Sequence, residues 1–209
     1  VAKAKESFPI NCDWSDIELA SIPISYSTAE GMLCRANVEK ETILITGASG
    51  GVGSAAIQLA KIRGATIIAQ CSPDKASFLK DFGADQTVNR SDNLVKVLGK
   101  NSVDVVFDLV GGSSWPQLLD IIKPGGKYVT SGAIAGPIVD LDLRSLYLKD
   151  LTLYGSTVND PFVFENVIRY IEEGQIKPLV AQTFPLKEIH KAQKVFMEKK
   201  FIGKIVLIP

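Results

Sequence analysis

The segment Glu41–Lys61, ETILITGASGGVGSAAIQLAK, decides the fold of this chain. It opens with a short apolar run, Ile43–Ile45, which is typical of a buried strand. The glycine-rich turn Gly47–Gly53 follows, and apolar residues then recur at helical spacing from Ala55 to Ala60. Glycines let a backbone turn tightly and approach a phosphate closely, and the first N–H groups of a helix attract an anion. The pattern therefore predicts a strand, a phosphate-binding turn and a helix; the alternative is a turn that only packs the helix onto the sheet.

The bulk properties exclude several classes of protein. The chain has 209 residues, 46% of them hydrophobic, and a formal net charge of zero. A neutral balance predicts no nucleic-acid partner and no anionic membrane surface, and no apolar run approaches the roughly 20 residues of a membrane span. The start VAKAKESFPI lacks the pattern of a signal peptide, and we expect it to be the end of a strand, as in a fragment or a processed product. Three scattered cysteines predict a reduced, cytoplasmic protein.

Strand and helix patterns alternate after this segment. They predict an α/β fold of the Rossmann type, with a doubly wound, six-stranded parallel sheet and helices on both faces. The six strands are expected near residues 43–45, 65–69, 86–88, 103–110, 127–131 and 151–155. We divide the chain into a lead-in (1–25), a nucleotide-binding domain (26–178) and a C-terminal tail (179–209). We expect the lead-in to be irregular, and Ser27 or Thr28 to cap a helix that runs to about Asn37.

The end of the second strand bears on the choice of cofactor. NAD-binding folds carry an acidic residue there that binds the ribose hydroxyls, whereas this strand ends Ala69–Ser72 without a carboxylate. Ser72 and Lys75 suit a 2′-phosphate better, as hydroxyl donor and positive charge, so we expect NADP (NADPH) as the cofactor. Two alternatives stay open. In the first, Ser72 only caps the helix that follows it and Lys75 is a solvated charge. In the second, Asp74 turns toward a ribose.

The sequence largely excludes one class of oxidoreductase, because it lacks the acid catalyst of that class. Short-chain dehydrogenases share the glycine pattern but need a Tyr-x-x-x-Lys pair, in which the lysine lowers the pKa of the tyrosine. None of the five tyrosines has a lysine four residues later: Tyr26, Tyr128, Tyr147, Tyr154 and Tyr170.

Several segments together resemble the medium-chain dehydrogenase/reductase superfamily, in its quinone-oxidoreductase and enoyl-reductase branch. They are GASGGVGSAAIQLAK (47–61), FLKDFGAD (78–85), DVVFDLVGG (104–112), KPGGKYVTSG (123–132) and GKIVLIP (203–209). Members of the superfamily carry an N-terminal GroES-like barrel. The resemblance implies that VAKAKESFPI is its last strand, and that the tail returns to it.

The resemblance also implies which residues contact the dinucleotide. Four would hold the pyrophosphate: Ser49, Gly50, Gly51 and Val52. Others would lie against the nicotinamide ribose (Gly111, Gly112), the carboxamide (Gly132, Ala133, Ile134) and the adenosine (Asn89, Arg90), and Ser27 or Thr28 would lie under the nicotinamide. Each glycine would otherwise be an ordinary turn, and Arg90 a solvated charge.

The resemblance implies a reductase without zinc. Zinc-dependent members have a cysteine where this chain reads Ile22–Ile24, and Cys34 falls inside a predicted helix, so we expect no metal. A zinc-free member would use NADPH to reduce a small molecule such as an enone, a quinone or an enoyl thioester. Asp108 and His190 are the candidates for the proton donor, but neither is assigned, and no catalytic residue is named.

Alternative functions are a non-catalytic nucleotide-binding or redox-sensing module, or the enoyl-reductase part of a larger polyketide or fatty acid synthase. By the same resemblance, the edge strand Leu151–Gly155 would pair with its copy in a homodimer.

Overall fold

A computed structural model describes residues 7–209, and its main feature is a six-stranded, wholly parallel sheet. The strand order is β3-β2-β1-β4-β5-β6, so the chain starts in the middle, winds to one edge and then to the other. The strands are β1 (Thr42–Ile45), β2 (Thr66–Cys71), β3 (Gln86–Asn89), β4 (Val103–Asp108), β5 (Ile122–Thr130) and β6 (Thr152–Gly155). The predicted Rossmann-type α/β fold with six parallel strands is confirmed.

Helices cover both faces of this sheet, as the continuous apolar runs of the strands require. The helices are α1 (Asp16–Ala20), α2 (Pro23–Arg35), α3 (Gly51–Ile62), α4 (Ala76–Asp81), α5 (Leu94–Leu98), α6 (Trp115–Ile121), α7 (Leu143–Tyr147), α8 (Pro161–Glu172) and α9 (Ile189–Glu198). Alternate strand residues serve two apolar cores. Ile43 and Ile45 pack with α2, α3 and α8, whereas Leu44 packs on the opposite face with α5 and α6.

The lead-in is more ordered than expected. Helix α1 lies within it, because Ser15 and Glu18 form a complete capping box, so the expectation of an irregular lead-in is wrong there. The rings of Phe8 and Phe164 are in edge contact with centroids 5.3 Å apart, which holds the lead-in against α8. Of the predicted strand VAKAKESFPI, residues 1–6 lie outside the described part, and residues 7–10 form no strand.

Helix α2 begins earlier than predicted. Pro23 occupies its first position, where a missing N–H costs nothing, and the helix ends at Arg35. Ser27 and Thr28 therefore lie inside the helix, and the expectation that either caps it is wrong.

The C-terminal tail forms a second, smaller sheet. Strands β7 (Val180–Pro185) and β8 (Lys204–Ile208) are parallel and are joined by α9. The tail returns to the glycine-rich turn, where Gly203 forms a bridge with Gly50 and its N–H donates to Ser49 O at 3.3 Å. Among the helices of residues 7–209, none has the length and apolar character needed to cross a membrane.

Candidate dinucleotide-binding site

The glycine-rich turn brings the N-terminus of α3 to the carboxyl edge of the sheet. Gly47 adopts a positive φ of 59°, a conformation that side chains disfavour. At Gly53 a Cβ would lie 2.5 Å from Gly47 O, so only glycine lets the helix pack this closely on the turn. Gly50 is the N-cap residue, and no side chain caps α3 within the described structure. The first N–H groups of this helix are therefore left to an anion, which fits a pyrophosphate.

Two residues that the sequence analysis did not single out lie beside this helix end. A Cβ on Gly51 would meet the Lys204 side chain at 2.6 Å and Ser25 Oγ at 2.7 Å. The Ser25 hydroxyl is buried without a hydrogen-bond partner among the described residues. Burial lowers the pKa of the Lys204 ammonium, and no acidic group among residues 7–209 offsets this effect. Both come from distant segments, 26 residues before Gly51 and 153 after it, so no local motif points to them.

Asp108 organises the next part of the site, at the end of β4. Its fully buried carboxylate accepts hydrogen bonds from the hydroxyls of Thr46 (2.7 Å) and Tyr128 (2.6 Å). It also accepts from the backbone N–H groups of Val110 (3.0 Å) and Gly111 (3.1 Å). Burial, and then the bond to Asp108, raise the pKa of Tyr128, so the phenol stays a donor. Asp108 is thus a structural carboxylate that shapes the loop after β4.

The loops after β4 and β5 are joined at the predicted nicotinamide position. Gly111 and Gly112 both have positive φ, and a Cβ on either would lie 2.8 Å from a carbonyl oxygen of the β5 loop. The N–H of Ala135 donates to Val110 O at 2.9 Å. Gly111, Gly132 and Ala133 line a cleft of about 280 Å³ together with Trp115 and Tyr128. Ile134 projects from this loop and is 83% exposed.

The ends of β2 and β3 lie side by side, because the N–H of Arg90 donates to Cys71 O at 3.0 Å. The Ser72 hydroxyl is hydrogen-bonded to the Asp74 carboxyl, and this bond holds the pKa of Asp74 below its usual range. The charges of Lys75 and Arg90 lower the pKa of Asp74 further. The ammonium of Lys75 is buried, so the alternative that Lys75 is a solvated charge is wrong. Its binding partners are carbonyl oxygens of the tail.

The remaining candidates do not gather into a reaction centre. Ser27 and Thr28 lie in α2, and His190 is exposed on α9. Cys34 donates its thiol hydrogen to Glu30 at 3.4 Å. Within residues 7–209, no three His, Cys, Asp or Glu side chains are grouped as metal ligands would be.

Comparison with known proteins agrees with this architecture. Residues 51–173, more than half of the chain, match the family model for zinc-binding dehydrogenases. Over 179 residues the chain is 36% identical to an acryloyl-coenzyme A reductase of Metallosphaera sedula, covering 84% of this chain and 53% of that protein.

Two solved structures extend the likeness. A putative alcohol dehydrogenase from Sinorhizobium meliloti superposes with a TM-score of 0.94 at 48% identity, over 99% of this chain and 59% of its own. The 2-octenoyl-CoA carboxylase reductase CinF, solved with NADP and 2-octenoyl-CoA, gives a TM-score of 0.89 at 27% identity, over 98% and 52% of the two chains. The chain spans between half and three-fifths of the length of these relatives. It belongs to the zinc-binding dehydrogenase family of the medium-chain dehydrogenase/reductase superfamily, in the part that forms the cofactor domain.

Proposed function

We propose that the chain binds NADPH along the carboxyl edge of its sheet and serves as the cofactor portion of a zinc-independent reductase. The observation that carries this proposal is the N-terminus of α3, which no side chain of the described residues caps. Its N-cap residue, Gly50, is exposed, so a ligand can reach the first N–H groups of the helix. The loops after β2, β4 and β5 meet the same edge, as the binding of a dinucleotide to a parallel sheet requires. CinF, solved with NADP, has the same domain fold.

The substrate is proposed to be a small molecule with an activated double bond, such as an enone, a quinone or an enoyl thioester. Relatives named acryloyl-coenzyme A reductase and 2-octenoyl-CoA carboxylase reductase support this class. When bound, NADPH would supply the hydride for the β-carbon of the substrate. The residues of this chain would bind and orient the cofactor. The α3 N-terminus, Ser25 and Lys204 lie where they would hold its phosphates, and the joined loops after β4 and β5 would fix the nicotinamide.

Asp108 contributes to cofactor binding in this proposal only indirectly, by fixing the backbone of the loop after β4. Its hydrogen bonds to Val110 and Gly111 fix the backbone of the loop that would face the nicotinamide ribose. No side chain is assigned as proton donor, and the absence of zinc from the reaction is part of the proposal.

Gly50 offers a variant that separates binding from folding. A Cβ there would have only Gly47 O within 4 Å, at 3.4 Å, and the backbone (φ −78°, ψ 173°) is that of an ordinary N-cap. Aspartate and asparagine are both preferred N-caps, so Gly50→Asp and Gly50→Asn should fold at least as well as the parent. Only the aspartate places a negative charge beside a pyrophosphate.

The test is titration calorimetry with NADPH and NADH, together with thermal unfolding. The parent should bind NADPH, and Gly50→Asp should weaken binding at least about tenfold more than the neutral Gly50→Asn, with both variants as stable as the parent. Equal affinities of the two variants would exclude the pyrophosphate from the α3 N-terminus.

The proposed homodimer rests on β6, the last strand of the sheet, whose outer edge has no partner strand within the described residues. Pairing of two β6 edges would continue the sheet across a two-fold axis. Sedimentation equilibrium of the chain should give twice the monomer mass; a single monomeric species would exclude this arrangement.

A further inference from the structure

Two cations lie at the end of the sheet where the adenosine ribose of the proposed cofactor would bind, and the structure gives them different surroundings. Lys75 follows β2 and is only 8% exposed. Arg90 follows β3 and is exposed. The sequence suggested that Lys75 meets a 2′-phosphate, and the contacts of the two side chains test that suggestion.

The ammonium of Lys75 is already bound. It donates to Lys199 O at 2.7 Å and to Phe201 O at 2.9 Å, two carbonyl oxygens at the turn between α9 and β8. Lys199 ends α9 in the left-handed conformation, with φ 56°. The backbone carbonyls of such a turn have no intrahelical partners, and the buried ammonium binds two of them. To reach a phosphate, Lys75 would have to leave these oxygens unpaired.

Of the contacts that hold this turn, two tie it to the dinucleotide-binding edge, and the Lys75 contact is one of them. A few residues later, Gly203 bridges to Gly50, and its N–H donates to Ser49 O at 3.3 Å. The segment 199–204 is thus attached on one side to the end of β2 and on the other to the glycine-rich turn. Lys75 is one of the two attachments.

Arg90 has the opposite character. Its guanidinium makes no hydrogen bond or ion pair with the described residues, and its charge acts on Asp74, which lies beside Ser72. A free guanidinium offers several N–H donors in a plane that matches the oxygens of a phosphate. Its backbone N–H is bonded to Cys71 O, so the side chain starts beside the end of β2.

We propose that Arg90 is the residue that selects for the 2′-phosphate, and that Lys75 is a structural clasp that holds the tail on the dinucleotide-binding edge. This rests on the proposed function, since it assumes that the adenosine lies at the ends of β2 and β3. It revises the assignment of the phosphate charge to Lys75.

Two adenosine phosphates, which carry no nicotinamide, test this proposal at the adenosine end of the site alone. Binding of 2′,5′-ADP and 5′-ADP is measured by titration calorimetry for the parent, Arg90→Met, Lys75→Met and Lys80→Met. Lys80 is an exposed lysine of α4 and controls for the loss of one positive charge. Arg90→Met should lower the ratio of 2′,5′-ADP affinity to 5′-ADP affinity by roughly tenfold or more, and Lys80→Met should leave the ratio within about twofold.

Lys75→Met should leave that ratio unchanged and show its effect in the tail. Amide exchange in residues 199–203 should accelerate at least about tenfold relative to the parent, because the turn loses one attachment. The same residues in Arg90→Met should exchange as in the parent. This readout does not need a bound ligand.

The possible failures differ in what they overturn. A selective loss of 2′,5′-ADP binding in Lys75→Met, alone or together with Arg90→Met, would contradict the clasp, and an unchanged ratio in Arg90→Met would contradict the selector. If the parent binds neither adenosine phosphate, the proposed function itself fails, and the Arg90 assignment with it.

Discussion

Two fully buried carboxylates, Glu30 in the helical layer and Asp108 at the edge of the sheet, are stabilised by different kinds of partner. Glu30 meets a cation: its Oε1 lies 2.6 Å from the Arg63 guanidinium, and Asn166 donates to the same oxygen at 3.0 Å. Its Oε2 has no hydrogen-bond partner among the described residues. Asp108 meets no cation among residues 7–209 and accepts from four neutral donors, two hydroxyls and two backbone N–H groups.

The difference shows what each region does. Glu30 ties α2 to α3 and α8, and the pair can be replaced because its charges compensate only each other. Asp108 fixes a loop conformation, since two of its donors are the backbone of that loop. Its replacement leaves two backbone donors, the N–H groups of Val110 and Gly111, that no second substitution removes. The following predictions test this contrast.

The largest expected effect is that of Asp108→Ala. Two buried hydroxyls and two part-buried backbone N–H groups lose their acceptor, at a cost of about 1 kcal/mol each, so the free energy of unfolding should fall by about 4 kcal/mol. Urea titration measures it. Asp108→Asn keeps the size but presents N–H groups to donors, so it should recover little; full recovery by asparagine would contradict the role of the charge.

Glu30→Gln should cost about 3 kcal/mol, because it leaves the Arg63 charge partly buried without its counter-charge. The same titration gives the value. The double variant Glu30→Met with Arg63→Met should recover at least half of the loss, since a well-packed apolar pair replaces a buried ion pair at little cost. A double variant that is no more stable than Glu30→Gln would show that the Glu30–Arg63 pair, like Asp108, cannot be replaced without a loss of stability.

Tyr128→Phe removes one donor from Asp108 and leaves three, so it should cost only about 1.5 kcal/mol of stability. If the hydroxyl also holds the loop after β4, NADPH affinity should fall in the same variant. Calorimetry checks this. Trp115→Phe, on the same cleft and in ring contact with Tyr128, is the control, because it leaves the carboxylate untouched.

The smallest effect concerns Cys34, which donates to Glu30. Burial, and then the charge of Glu30, raise the pKa of the Cys34 thiol to about 11, whereas the charge of Arg63 lowers it. Glu30→Gln should therefore lower the midpoint of the pH profile of Cys34 alkylation. At pH 8 the thiolate fraction, and with it the rate, should rise by roughly tenfold.

Arg63→Met provides the opposing control, because it should raise the same midpoint. Both variants lose stability, so a common shift in one direction would indicate loosening of the structure. Shifts in opposite directions would show the electrostatic effect of the two neighbours on the thiol.

The fold could be read from the sequence because its signals are local. The apolar run before Gly47 predicts β1 to within one residue, and the helical spacing after the turn predicts α3, which begins four residues earlier, at Gly51. The alternation that follows predicts the parallel sheet. The start of α2 was misplaced, because Ser27 looks like a cap in isolation, whereas Pro23 sets the first turn. In the lead-in, the spacing of Ser15 and Glu18 is that of a capping box, a local signal that predicts the start of α1.

The candidate site was less accessible to sequence reasoning. The glycines of the site can be predicted, because tight turns between a strand and a helix require glycine and therefore mark its position in the sequence. The partners of Lys75 are backbone carbonyls 124 and 126 residues later, and carbonyls leave no trace in residue identity. Ser25 and Lys204 meet at Gly51 only in the folded chain.

The bridge between Gly50 and Gly203 has a consequence for the synthesis of the protein. One wall of the glycine-rich turn is translated 153 residues after Gly50. At a typical 5–20 residues per second, roughly ten to thirty seconds separate the translation of the two glycines. During that interval the sheet can assemble but the turn lacks its cover, so a dinucleotide that binds there would stabilise a chain that includes Gly203 more than the shorter nascent chain.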